Sequence, residues 1–369
     1  MIEIGRAKRA TPVYGFDDIA IVPTRRTRDV TDVKLTWKID ALSFDFPIVA
    51  APQDSVMSPA TAITVGKLGG LGVLNLEGLW TRYADPEPLL VELAEVDDPI
   101  EATRRMQAIY SAPIKGELIT QRLHEIRDAG VPVAGALSPQ HCREFAKVVE
   151  GAGVDFFVIR GTTVSAEHVS SVDEPLNLKE FIYALDVPVI VGGCATYQAA
   201  LHLMRTGAAG VLVGFGGGAT KRTRNVLGVE VPMASAIADV AEARRDYLDE
   251  SGGRYVHVIA DGGLGRSGDI AKAIACGADA AMVGSPLARA SEAPGRGYHW
   301  GAEAWHASLP RGERVKFGSV GTLEEILLGP SHLADGTMNL VGALKKALAT
   351  CGYTEVKDFQ RVEIVVHRA

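Results

Sequence analysis

Short apolar runs recur along the chain from residue 47 onwards, separated by polar or glycine-rich turns and amphipathic stretches. Runs that are apolar throughout, instead of alternating, are typical of strands buried on both faces. Amphipathic stretches such as residues 196–208 and 267–278 predict helices that connect parallel strands. The eight runs are residues 47–52, 71–76, 131–137, 155–161, 187–193, 209–215, 255–263 and 279–285.

Eight strand and helix units predict an α/β fold, a closed (β/α)8 TIM barrel, and we interpret residues 1–369 as a single domain of this type. A chain of this length fits one barrel enlarged by loops. The active site of such a barrel lies at the carboxyl ends of the strands. The alternative is a doubly wound open sheet, but that fold places its glycine fingerprint after the first strand. The richest glycine loops here follow the last three runs.

Two segments lie outside the repeat. Residues 77–113 form a charged, proline-marked connection after the second run. Residues 286–321 follow the eighth run and are too long for an ordinary turn. A long polar loop on the active-site face predicts a lid, and the alternative is a surface excursion or an oligomer contact.

Composition restricts the classes of ligand. The net charge of −7 and the pI of about 5.8 provide no global basic field for nucleic acid, so any anion must be bound locally. Four scattered cysteines and nine histidines show no metal-binding spacing and no disulfide framework. We expect a soluble cytoplasmic protein, because the first residues lack a signal-peptide core and no apolar run reaches membrane-spanning length.

Glycine pairs follow the seventh and eighth runs. Gly262 and Gly263 come directly after one strand, and Gly284 and Ser285 after the next. Backbone N–H groups freed by glycine, with a helix N-terminus and a hydroxyl, form an anion cradle, and barrels that bind phosphate place it here. The alternative is that these glycines only make tight turns. Asp261, at the tip of the seventh strand, is a candidate acceptor for two ribose hydroxyls.

Four stretches resemble the IMP dehydrogenase and GMP reductase family. They are "YGFDDIAIVP" (14–23), "FPIVAAPQDSVMSPATAITVGKLGGLGVL" (46–74), "GFGGGATKRTRNVLGVEVP" (214–232) and "VIADGGLGRSGDIAKAIACGADAAMVGSPLA" (258–288). The resemblance implies a barrel, commonly a homotetramer, that binds a purine 5′-monophosphate and exchanges hydride with NAD or NADP. Many members insert a regulatory CBS pair after the second strand, and residues 77–113 are too short for it. An actinobacterial group of paralogues without the catalytic cysteine is the most similar.

The resemblance also assigns residues to the ligand. It places Asp261 on the ribose hydroxyls, and Gln53 and Asp54 where the family packs the nucleotide, although the family more often has Met at position 53. Where members hold a monovalent cation, the equivalent carbonyls here belong to Gly216, Gly218 and Lys221. The phosphate ligands would be Gly218, Gly262, Gly263, Gly284 and Ser285.

Two departures from the family concern the chemistry. The cysteine that attacks the purine C2 is replaced by Lys221, while Thr223 still matches the family threonine. A lysine ammonium is not a nucleophile unless its pKa is depressed. Lys221 is therefore a solvated residue, a fixed cation in the space of the lost thiol, or a desolvated amine. After the fourth strand, Arg160 and Thr162 stand where the family uses an aspartate and serine against the cofactor, which reverses the charge of that wall.

The remaining candidates are weaker. The family's water-activating Arg-Tyr pair is not found in residues 289–321, where Arg296, Tyr298 and His299 are available and His306 is a further candidate. Cys194 directly follows the fifth run, near the expected nucleotide, but its register favours a packing role. Two functions stay open: an oxidoreductase acting on a purine nucleotide by direct hydride transfer, and a degenerate nucleotide-binding regulator.

Overall fold

The amino-terminal part of the chain forms small antiparallel pieces around the barrel. The computed structural model describes residues 1–171, 175–215, 223–301 and 314–367. Strand β1 pairs with β2, and β4 pairs with β5, whereas β3 pairs with a strand at the other end of the chain. Their bounds are β1 (Ile2–Gly5), β2 (Lys8–Ala10), β3 (Ile19–Ile21), β4 (Trp37–Ile39) and β5 (Leu42–Phe44).

Eight parallel strands form a closed barrel, which confirms the predicted fold class. Each strand coincides with one of the apolar runs, and β13 pairs with β6 to close the sheet, so the open-sheet alternative is wrong. The strands are β6 (Ile48–Ala50), β7 (Leu71–Asn75), β8 (Ala134–Leu137), β9 (Phe156–Arg160), β10 (Val189–Cys194), β11 (Gly210–Val213), β12 (His257–Asp261) and β13 (Ala280–Val283).

Helices pack around the barrel, and their ends follow local sequence signals. Ser58 caps the first helix by accepting a hydrogen bond from the amide of Thr61, with Pro59 at the first helical position. The helices are α1 (Pro59–Lys67), α2 (Glu87–Glu95), α3 (Pro99–Tyr110), α4 (Gly116–Asp128), α5 (Pro139–Gly151), α6 (Leu178–Tyr183), α7 (Tyr197–Met204), α8 (Thr223–Leu227), α9 (Met233–Glu250), α10 (Ser267–Ala275), α11 (Leu323–Leu327), α12 (Leu340–Thr350) and α13 (Val356–Phe359). Among the described helices, none is long and apolar enough to cross a membrane.

The two irregular segments contain secondary structure. The connection after β7 folds into α2 and α3, which the sequence analysis did not predict. In the segment after β13, strand β14 (Tyr298–His299) pairs with β15 (Val315–Lys316), and residues 302–313 lie outside the described part. Strand β16 (Ile364–Val366) pairs with β3 near the carboxyl end of the chain. The connection after β7 thus contains a pair of helices.

The β4–β5 hairpin belongs to the same apolar cluster as the barrel interior. Trp37 stacks on Phe44, and Phe44 lies against Phe156 at the start of β9, with ring centroids 6.4 Å apart. Trp37 also donates a hydrogen bond to the ring of His257, the first residue of β12. The hairpin therefore covers the amino ends of the strands and leaves the carboxyl ends for a ligand.

A buried carboxylate holds this covered end together. Asp279, which precedes β13, accepts a hydrogen bond from Arg244 at 2.8 Å, from the Tyr255 hydroxyl at 2.6 Å and from the Val258 amide at 2.9 Å. Gln360 also donates to it at 3.1 Å, from the carboxyl-terminal segment. One side chain thereby connects α9, the barrel and the end of the chain.

We expect Asp279→Ala to lower the free energy of unfolding by about 3–5 kcal/mol, because it leaves the Arg244 guanidinium buried without its anion. Urea denaturation of the purified variant measures this change. The control is Asp249→Ala, which removes an exposed carboxylate from the same helix as Arg244. A loss below about 1 kcal/mol for Asp279→Ala would show that the network contributes little.

Candidate functional site

The candidate site is the open mouth of the barrel. Because all eight strands are parallel, their last residues meet at this end. Arg160 ends β9, Cys194 ends β10 and Asp261 ends β12. Gln53 and Asp54 lie in the loop after β6, which neighbours the loop after β13. The sequence-predicted residues within the described chain are therefore brought to one end of the molecule.

The two glycine loops follow neighbouring strands, since β12 pairs with β13. Gly262 and Gly263 have φ angles of 134° and 70°, a region of backbone conformation that favours glycine. Within the described part of the chain, no backbone carbonyl accepts a hydrogen bond from the amides of Gly263 and Ser285. Free amides at adjacent strand ends are the groups that bind a phosphate. The geometry supports the predicted cradle, and its contact with a ligand stays a prediction.

Arg160 and Asp261 form an ion pair across the mouth. Nε of Arg160 donates to Oδ2 of Asp261 at 3.0 Å, and Nη2 donates to Oδ1 at 3.3 Å. The two side chains are 7% and 10% exposed. The predicted ribose acceptor and the predicted cofactor contact are thus partners of each other, which their separation of about a hundred residues in sequence did not reveal.

The Asp54 carboxylate is held by protein donors. It accepts hydrogen bonds from the Leu79 amide at 2.8 Å and the Tyr110 hydroxyl at 2.6 Å, and a longer one from Asn75 at 3.4 Å. A Cβ at Gly78 would lie 1.9 Å from Oδ1, so the close approach of this loop requires glycine. Burial raises the pKa of the Asp54 carboxyl to about 6. The observed role of Asp54 is to join the loops after β6 and β7.

The side chain of Gln53, unlike that of Asp54, is buried with an unpaired oxygen among the described residues. Its side chain is 5% exposed, and Oε1 has no hydrogen-bond partner in the described structure. A Cβ at Gly284 would lie 2.8 Å from this oxygen, so the Gln53 amide packs directly against the second glycine loop. A buried polar atom without a partner is costly. Its place beside the cradle is consistent with the predicted contact to a nucleotide.

The segment after β13 is tied to the mouth by hydrogen bonds. The indole of Trp300 donates to the Tyr110 hydroxyl at 2.8 Å, which in turn donates to Asp54. Ser55 lies 2.9 Å from Nδ1 of His299, and burial lowers the pKa of that imidazole to about 4, so it is neutral near pH 7. The sequence analysis did not predict Tyr110 and Trp300 as site residues. Each is a large aromatic residue within an otherwise polar connection, and this contrast was the signal that could have indicated them.

Two of the four thiols, Cys194 and Cys276, lie in environments that favour the protonated form. Cys194 is 1% exposed, and burial raises its pKa to about 12. Cys276 lies on the outer layer after α10, with its pKa raised to about 11 by burial. A thiol of this kind is inert at neutral pH because the reactive form is the thiolate. The packing interpretation of Cys194 agrees with this environment.

Several sequence-predicted site residues lie next to a gap in the described residues, in a loop, or outside the described residues. Thr223 begins α8, is 2% exposed, and its Oγ1 has no partner among the described residues. Thr162 is half-buried in the loop after β9. No group of three or more potential metal ligands occurs within the described residues. Gly216, Gly218, Lys221 and His306 fall outside them.

Comparison with known proteins gives consistent matches. The IMP dehydrogenase / GMP reductase domain family matches residues 13–307. An uncharacterized oxidoreductase from Mycolicibacterium smegmatis is 50% identical over 99% of this chain and all of that protein. An inosine-5′-monophosphate dehydrogenase from Thermoplasma acidophilum is 27% identical over 96% of this chain and 91% of that protein. An IMP dehydrogenase/GMP reductase-like crystal structure from Corynebacterium glutamicum superposes with a TM-score of 0.94 at 52% identity, covering 99% of this chain and 97% of its own.

We expect Asp54→Asn to change the pH dependence of stability. The pKa of Asp54 is raised from 3.8 to about 6 in the folded state, so its contribution is full below 3.8 and is lost as pH rises through about 6. Relative to the wild type, the variant should therefore gain about 2–3 kcal/mol between about pH 3.5 and pH 7. Urea denaturation at a series of pH values measures the difference. Exposed Asp128→Asn is the control, and parallel pH curves for wild type and Asp54→Asn would contradict the assignment.

Proposed function

This chain belongs to the IMP dehydrogenase/GMP reductase family, and on that premise we propose that it binds a purine nucleoside 5′-monophosphate at the mouth of its barrel. The observation that carries the proposal is the pair of adjacent glycine loops after β12 and β13, which directly follow and neighbour Asp261. Among the described residues, no backbone carbonyl accepts from the amides of Gly263 and Ser285 in these loops. Phosphate on the loops and ribose towards the carboxylate would orient the base over the barrel.

The chemistry we propose is that of an oxidoreductase that does not use a cysteine adduct. All four cysteines of the chain lie elsewhere than in the loop after β11, and each is at least partly buried. Lys221 occupies the thiol position by resemblance, so hydride would have to leave or reach the purine without a covalent intermediate. A homotetramer, a cytoplasmic location and a monovalent cation remain expectations from the same resemblance.

NAD or NADP is the expected co-substrate, but the described residues fit its usual contact poorly. The family's carboxylate on this wall is replaced by Arg160, and that guanidinium is already paired with Asp261. Thr162 remains as a hydroxyl donor at the same wall. The described residues therefore do not reproduce the family's contact with a nicotinamide cofactor.

The second candidate is a nucleotide-binding regulator without chemistry. The Arg160–Asp261 ion pair favours this candidate. Asp261 is expected to contact the ribose and Arg160 the cofactor, yet the two side chains neutralise each other. Both candidate functions include binding of a purine nucleotide, and only the oxidoreductase also requires a dinucleotide. A protein that is stabilised by a nucleotide and by no dinucleotide would be the regulator.

A purine 5′-monophosphate should raise the thermal midpoint, because a ligand that binds only the folded state stabilises it. At a concentration of about 100 Kd the stabilisation is about 2.7 kcal/mol. Differential scanning fluorimetry with IMP, XMP, GMP, AMP, NAD and NADP measures the shift. Ser285→Asp places a negative charge in the cradle and should abolish the nucleotide shift, whereas Ser43→Asp, exposed on β5 at the other end of the barrel, should keep it. No shift with any purine nucleotide would contradict the proposal.

We expect no family-type turnover from the wild type, since Lys221 replaces the attacking thiol. The measurement is absorbance at 340 nm with IMP plus NAD and with GMP plus NADPH. Turnover at the usual rate of either family enzyme would refute the assignment of Lys221. If Lys221→Cys gains activity, the rest of the site is competent. If the variant stays inactive, the changes at Arg160 and in the segment after β13 also contribute to the loss of activity.

A further inference from the structure

A cavity of about 250 Å³ opens at the covered end of the barrel. Its walls come from strand β4, the start of β12, the residue before β13 and helix α13. Strand β12 begins at His257 in this cavity and ends at Asp261 in the mouth, so a strand length of about 13 Å separates the two places. Ligand pockets of drug size measure about 300–1,000 Å³, so this cavity fits a smaller molecule.

The charged groups around this cavity carry a net positive charge. Among the described residues that line it, Asp279 is the one acid. Arg244 and Lys357 both lie close to Asp279, with nitrogens 2.8 Å and 3.3 Å from its oxygens. One carboxylate cannot neutralise two cations, and exposed Lys38 on the cavity wall adds a third. The surplus favours an anionic ligand.

The Asp279 carboxylate is not available to a ligand. A carboxylate has about four lone-pair sites. Asp279 accepts hydrogen bonds from five protein donors, which are Arg244, Tyr255, the Val258 amide, Lys357 and Gln360. The cavity therefore presents donors to a ligand and no free acceptor from this side chain.

Two N–H groups in the cavity lack acceptors within the described chain. The Lys357 ammonium has three, of which one donates to Asp279 and one to the Tyr255 hydroxyl. Nδ1 of His257 accepts from the indole of Trp37 at 3.3 Å. Burial lowers the pKa of the His257 imidazole, so the ring is neutral near pH 7 and its proton is on Nε2. One N–H of Lys357 and Nε2–H of His257 are thus open to an acceptor.

We propose that this cavity is a binding site for a small monocarboxylate with a compact apolar body. The two carboxylate oxygens accept from Lys357 and His257, and a single negative charge matches the surplus on the pair of cations beside Asp279. The apolar body packs against Trp37 and Val356, which line the same cavity. The site is separate from the proposed nucleotide site, so either proposal can fail without the other.

Isothermal titration calorimetry with benzoate as the probe tests the unaltered protein. Benzoate should bind saturably with a Kd of about 1 mM or below. Benzamide has the same shape without the charge, and inorganic phosphate has charge without the apolar body, so each should bind at least about 10-fold more weakly. Benzamide binding as tightly as benzoate, phosphate binding more tightly, or no saturable benzoate binding up to about 10 mM would overturn the inference.

Variants locate the bound benzoate. Lys357→Gln should weaken it by about 10-fold or more, whereas Lys357→Arg keeps the positive charge and should stay within about threefold of the wild type. Thr36→Trp places an indole at an exposed position of the cavity wall and should also weaken binding. Lys147→Gln removes one exposed lysine from α5 and is the control of equal charge change. Wild-type affinity in both Lys357→Gln and Thr36→Trp would overturn the proposal.

Ser285→Asp distinguishes this cavity from the glycine loops at the mouth. That variant should bind benzoate as the wild type does, because Ser285 follows the opposite end of the barrel strands. Loss of benzoate binding in Ser285→Asp would place the carboxylate at the mouth and refute the inference. The comparison of benzoate with benzamide uses the unaltered protein, so the charge requirement is decided even if a variant fails to fold.

Discussion

Closure of the parallel sheet is the constraint on which the other features depend. The pairing of β13 with β6 places residues from the beginning and end of the barrel, such as Gln53 and Gly284, in contact. The β4–β5 hairpin covers the opposite end with aromatic packing around Trp37 and Phe44. Because one end is covered and all strands run the same way, the polar residues that follow the strands meet at the other end.

Several carboxylates of this barrel are buried, and each is held by hydrogen-bond donors from other segments of the chain. Asp279 and Asp54 are surrounded by protein donors and connect segments that are distant in sequence. Asp261 is paired through both of its oxygens with Arg160 at the mouth. Since an unpaired buried charge is costly, each of these three carboxylates is paired with donors from the protein.

The strands were predictable because burial on both faces leaves a continuous apolar run, which is a local signal. The glycine loops were predictable for a related reason, since positive φ angles at positions such as Gly262 and Gly263 select glycine. Helices α2 and α3 were not predicted, because their residues are charged and interrupted by proline. Their stability comes from packing and from caps such as Asp98, which accepts from the amides of Ile100 and Glu101.

The sequence by itself determined the barrel, the end of it that holds the candidate site, the family resemblance and the absence of cysteine from the loop after β11. All of these follow from residue identity and spacing, which are local properties of each stretch of the chain. The tertiary structure alone decided that Arg160 belongs to Asp261 and that Trp300 reaches Asp54 through Tyr110. These contacts join residues tens to hundreds of positions apart, and a hydrogen bond depends on distance and direction between atoms that no local pattern records.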